Sequence, residues 1–122
     1  MITILVVDDQ PSIRRGLQMR LALEPDLQVI GEAEDGAAAI ALASELHPDV
    51  VLMDVVMPET DGIAATTTLR STGNRPGVVI LSLYDDAETR AQAELCGADA
   101  FVAKHEPDAA LIAAIRQAAA RS

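Results

Sequence analysis

Five short apolar runs, at residues 2–7, 27–30, 50–53, 78–83 and 100–103, set the limits on this fold. They are rich in Val, Ile and Leu and hardly alternate with polar residues. A strand with one wet face alternates; a run that does not alternate suits a parallel strand buried on both faces. Helix-like segments separate the runs. Pro11 and Ser12 open one, with Ile13, Leu17 and Leu21 at four-residue steps. Asp35-Gly36 precede an alanine-rich stretch reaching Leu46, and Asp61-Gly62 precede another from Ile63 to Leu69. Asp85 or Asp86 is placed to cap a helix ending near Cys96, with Gly97 as its stop. Pro107-Asp108 open the last, with Leu111, Ile112 and Ile115 on its core face.

Five strands alternating with five helices imply parallel pairing through right-handed crossovers. The smallest compact solution is an α/β fold: an open, doubly wound (βα)5 sheet of flavodoxin-like order 2-1-3-4-5. The 122 residues make one domain, with no linker or sequence repeat to divide it. No apolar run approaches the roughly 18 residues that span a bilayer, and no basic segment precedes a signal-like core. A soluble, cytoplasmic protein is expected. The lone thiol, Cys96, fits a reducing compartment and reads as a small apolar residue near a helix end. The net charge of −10, with the nine basic residues scattered, argues against direct nucleic-acid binding by this chain. Tyr84 and Phe101 are the whole aromatic complement, too few for a base-stacking platform.

In such sheets ligands bind beyond the carboxyl ends of the strands. After the first run come Asp8 and Asp9, in "ITILVVDDQPS"; after the third, Asp54; in the fourth, Ser82; after the fifth, Lys104. The expected strand order gathers three carboxylates, a hydroxyl and an ammonium on one rim. Two carboxylates about 4 Å apart repel by about 4 kcal/mol at an effective dielectric of about 20. A rim carrying three must therefore protonate or hold a cation. Magnesium suits it, being hard and content with one or two carboxylates, several waters and a phosphate. The loop after the first strand, "DDQPS", has no glycine and two negative charges, so it repels a free phosphate rather than cradling one. A phosphoryl group fits here with a metal between it and the acids, or when covalently attached. Singly, an aspartate after a strand is as readily a turn former or a helix cap; the five residues at four strand ends carry the reading together.

At these residues the sequence resembles the receiver domain of bacterial response regulators, the CheY-like family. Asp8-Asp9, Asp54 followed by Met57-Pro58 and Asp61-Gly62, Ser82 and Lys104 stand in family order across the whole of residues 1–122. "GEAEDGAAAIALA" and "PDVVLMDVVMPETDGIAAT" look most like the NarL/FixJ-type subfamily. The resemblance implies a phosphoacceptor, Asp54, that takes a phosphoryl group from a sensor histidine kinase. It implies Mg2+ held by Asp8, Asp9, Asp54 and the backbone carbonyl of Val56, with Lys104 on the phosphoryl oxygens. Ser82 and Phe101 are the implied switch pair. The domain implied is regulatory, catalysing only its own phosphorylation and dephosphorylation, with homodimerisation as one readout. Subfamily members usually carry a C-terminal helix-turn-helix domain that binds DNA. No such segment lies within 1–122, so an isolated receiver or a stand-alone regulator is expected.

Two departures stand out. Many receivers place proline directly after the lysine; here His105 follows and the proline is Pro107, so a trans Lys104–His105 bond is expected. Tyr84, two residues past Ser82, is placed to shield a phosphoryl group from water. Three other readings compete: an aspartate-nucleophile phosphatase of the haloacid dehalogenase type, a receiver-like module that is never phosphorylated, and a flavin-binding flavodoxin-like protein, which the acidic first loop and the scarcity of aromatics disfavour. Against the first, Val56 stands where that chemistry needs an acid, two residues past the nucleophile. Against the second, every expected rim residue is present.

Overall fold

A computed structural model of the chain describes residues 1–54, 62–71, 76–82 and 87–121. The strands are β1 (Ile2–Val7), β2 (Leu27–Ala33), β3 (Val50–Asp54), β4 (Gly77–Ser82) and β5 (Ala100–Ala103). The helices are α1 (Pro11–Leu21), α2 (Gly36–Leu46), α3 (Gly62–Ser71), α4 (Ala87–Leu95) and α5 (Asp108–Arg121). All strand pairs are parallel, in the order β2-β1-β3-β4-β5. The expected architecture is therefore the observed one.

Two apolar layers explain the runs without alternation. On one face Ile4, Val6, Leu52, Val79 and Val102 of the sheet meet Leu17 and Leu21 of α1 and Leu111 and Ile115 of α5. On the other, Leu5, Val7, Val51, Met53 and Ile80 meet Ala39 and Ala43 of α2, Leu69 of α3 and Ala93 of α4. β3 and β4 are buried throughout because both faces are covered.

The helix ends follow local chemistry. Pro11 sits at the first turn of α1, where its missing N–H costs nothing. Asp35 caps α2 by accepting the Ala38 N–H at 2.8 Å. Gly97 stops the chain after α4 at a φ of 92° that a side chain rarely adopts. Cys96 is buried, its Sγ directed at the Ala93 carbonyl. The caps expected from Asp61, Asp85 and Asp86 lie outside the described residues. No cis peptide bond occurs among the described residues, Lys104–His105 included.

Three strand boundaries differ from the sequence reading, the smallest being β3, which takes in Asp54 beyond residue 53. β2 runs on past residue 30 to Ala33, with a register shift opposite Ile4 and Leu5 of β1. It is an edge strand, so Glu32 can face water while the backbone stays paired. β4 begins one residue early, at Gly77, where a Cβ would stand 2.6 Å from the Ala118 carbonyl oxygen of α5. Glycine there lets helix and strand backbones approach. The end expected at residue 83 lies outside the described residues.

Candidate functional site

Strand register brings the rim together. Val7 of β1 pairs with Met53 of β3, so Asp8 and Asp54 each stand one step beyond the same rung. Asp54 pairs with Leu81, and Ser82 with Ala103, which places Lys104 one step beyond the last rung. Asp8, Asp54 and Ser82 are buried, and Asp9 is half-buried.

Asp8, Asp9 and Asp54 each offer a carboxylate oxygen within 4.8 Å of the others'. The Lys104 ammonium stands 3.1 Å from Asp8 Oδ2 and 3.5 Å from Asp54 Oδ2, forming an ion pair with each. Among the described residues, the ion pairs at the cluster set one ammonium against three carboxylates. The donor set is all oxygen and nearly enclosed, which fits a hard divalent cation such as magnesium. The Val56 carbonyl, expected as a further ligand, lies outside the described residues, as do Met57-Pro58 and Tyr84.

Several bonds hold this rim. The Asp8 N–H donates to the Ala33 carbonyl at 3.1 Å, extending the β1–β2 ladder by one rung. Asp8 Oδ1 accepts the Gln10 N–H at 3.0 Å, an Asx-type turn that leads the chain into α1. The Lys104 N–H donates to the Ser82 carbonyl at 2.7 Å, and the Glu106 carboxylate accepts the Ala103 N–H at 2.7 Å, closing the loop after β5. Phe101 is half-buried, its ring 4.5 Å from the guanidinium carbon of Arg90 on α4.

Asp8, Asp9, Asp54, Ser82 and Lys104 thus converge as the strand order requires, while Phe101 sits three residues before Lys104 on β5, facing α4. Sequence reasoning missed Arg14, whose Nη1 donates to the Asp8 carbonyl at 2.5 Å and whose Nε meets Glu32 Oε1 at 2.6 Å. One signal was present: Arg14 lies in the first turn of a helix, where side chains lean back toward the N-terminus and so toward Asp8. Arg14 and Gln18 together hold the Glu32 carboxyl below the usual glutamate value. His47, expected as a surface residue at a helix end, is the exposed left-handed terminus of α2.

Comparison with known proteins fits this geometry. A family model described as the response regulator receiver domain matches residues 4–116. The transcriptional regulatory protein LiaR of Bacillus subtilis is 39% identical over 118 residues, 97% of this chain and 56% of LiaR. The nitrate/nitrite response regulator NarL of Escherichia coli K12 is 36% identical over 118 residues, 97% of this chain and 55% of NarL. These two agree with the NarL/FixJ-type resemblance, and the chain spans about half the length of each. Among solved structures, the receiver domain of a NarL-like regulator from Mycobacterium tuberculosis superposes with a TM-score of 0.93 at 33% identity, covering 99% of this chain and 98% of that one.

Proposed function

The chain belongs to the response regulator receiver domain family, and from that premise we propose that residues 1–122 form a phospho-accepting switch driven by a sensor histidine kinase. One observation carries the reading. Three carboxylates from the ends of two neighbouring strands lie within 4.8 Å, and a lysine from the end of a third bridges two of them. Such a cluster opposes folding, a cost that proteins carry at functional sites.

Asp54 is the acceptor in this proposal. It ends β3, is nearly enclosed, and has Lys104 beside it. A carboxylate oxygen of Asp54 attacks the phosphorus of a phosphohistidine. The new O–P bond forms as the P–N bond breaks, and the departing imidazole takes up a proton. Asp8, Asp9 and Asp54 would hold Mg2+, and the Val56 carbonyl is the further donor that the family resemblance implies. The ion supplies positive charge that lets two anions meet. Lys104, already 3.5 Å from Asp54 Oδ2, would place its ammonium on the phosphoryl oxygens. The mixed anhydride is reactive, so the mark is reversible.

The added charge of nearly −2 then recruits Ser82 and Lys104. Their shift makes room for Phe101 to turn from Arg90, and the faces of α4, β5 and α5 repack. In this proposal the domain is regulatory and catalyses only its own phosphorylation and dephosphorylation. Among the described residues no helix is long and apolar enough to cross a membrane, and a cytoplasmic location is part of the proposal. So is an output through DNA, by a helix-turn-helix domain of the kind that the subfamily resemblance implies, with homodimerisation as one route to it.

The test is labelling with acetyl phosphate. One phosphoryl group per chain is expected with magnesium, none in a chelator, and none in Asp54→Asn. Labelling of Asp54→Asn at wild-type stoichiometry would refute the assignment.

A further inference from the structure

We infer that Arg14 is a positioning residue of the acid rim: it fixes the peptide plane from which Asp9 departs, and so the aim of the metal-binding carboxylates. The inference rests on the metal reading above and adds to it a residue from outside the ligand set.

β1 ends at Val7, so the Asp8 carbonyl lies past the last β1–β3 rung. Arg14 Nη1 donates to it at 2.5 Å. That oxygen belongs to the same rigid plane as the Asp9 N–H and Cα, because the peptide bond does not rotate. Holding the Asp8 carbonyl therefore orients the start of residue 9. With this bond all four polar groups of Asp8 are engaged: its N–H by Ala33, its carbonyl by Arg14, Oδ1 by Gln10 and Oδ2 by Lys104. Metal entry disturbs the contacts of the carboxylate and leaves the carbonyl contact in place.

Arg14 is itself held. Its Nε donates to Glu32 Oε1 at 2.6 Å, and Gln18 Nε2 donates to Glu32 Oε2 at 2.6 Å. The Arg14 side chain is only 12% exposed. One flat guanidinium thus bridges the β1 terminus and a glutamate on β2, with a second residue of α1 steadying the glutamate. Lysine has one nitrogen and cannot span both. The guanidinium also brings positive charge close to a rim that is short of it, without occupying the cation's place.

The experiment is calorimetric titration of the metal-free chain with MgCl2, with amide NMR shifts recorded alongside. Arg14→Gln and Arg14→Lys are both expected to bind magnesium about 10-fold more weakly or worse, the usual loss when an outer-shell partner is removed. The Asp9 amide shifts in both variants before any metal is added. Arg116→Gln serves as the stability control. It breaks an exposed ion-pair set with Glu24 and Asp26 and leaves magnesium affinity unchanged. A folded Arg14→Gln that melts lower but binds magnesium as wild type does overturns the inference and leaves the metal site intact. An equal loss in Arg116→Gln overturns it as well. A wild-type chain that binds no magnesium removes the metal reading and this inference together. If Arg14→Gln does not fold, Glu32→Gln carries the test, with a smaller loss expected and an unchanged affinity decisive against.

Discussion

Asp8, Asp9 and Asp54 place like charges within 4.8 Å, and only Lys104 of the described rim opposes them. Asparagine at position 9 keeps the shape and removes one charge. In a chelating buffer Asp9→Asn is expected to be more stable than wild type by about 1 kcal/mol, the part of the repulsion that Lys104 does not offset. Its stabilisation by magnesium should vanish. Urea unfolding of both proteins, with and without the metal, checks both halves; a chelated variant less stable than wild type contradicts the repulsion account. These acids were legible in the sequence because they follow apolar runs directly, and strand ends in a parallel sheet point to one crevice. Arg14 was not, because its partners are a backbone carbonyl and a glutamate 18 residues away. Its place in the first turn of α1 is the one local signal, and it barely separates Arg14 from its exposed neighbour Arg15.

Glu32 shows the same contrast between elements. It extends β2 beyond the apolar residues that signalled a strand, and "GEA" gives no hint of a ladder. The pairing comes from β1, whose Leu5, Val6 and Val7 meet Gly31, Glu32 and Ala33. Outward from that rung, Glu32 ties β2 to α1 through Arg14 and Gln18. The hydrogen bonds from these two, and the charges of Arg14 and Arg15, lower its pKa beneath the ordinary 4.5. A lowered carboxylate pKa stabilises the fold above the unfolded-state value, and that contribution is lost as pH falls through the folded value. The stability gap between wild type and Glu32→Gln is therefore expected to be widest near neutral pH and to close below about pH 4.5. Denaturant midpoints for both proteins across that range check it, and a gap that stays constant contradicts it. The difference isolates Glu32, since the other carboxylates titrate in both proteins. Because its side chain is 46% exposed, the effect is small.

Over the whole molecule, fold class and strand order were readable because burial on both faces leaves a plain signature: unalternating Val, Ile and Leu between helical segments. The start of β4 was less so, since Gly77 reads as a breaker until α5 is seen lying against it. The net charge of −10 is also a property of the whole. It opposes compaction, so sodium chloride should raise the melting temperature modestly by screening. Magnesium should raise it further at matched ionic strength. At ten times its dissociation constant, a specific site adds about 1.4 kcal/mol. Equal shifts from the two salts would reduce magnesium to a screening ion.

The order of the strands along the chain has a last consequence. Asp8 directly follows β1, whereas Lys104 follows β5, 96 residues further along the chain. As the polypeptide emerges from the ribosome, its acids appear long before the ammonium that reconciles them. Under the proposed chemistry, phosphoryl transfer is therefore expected only once β5 has docked beside β4 and brought Lys104 to the acids.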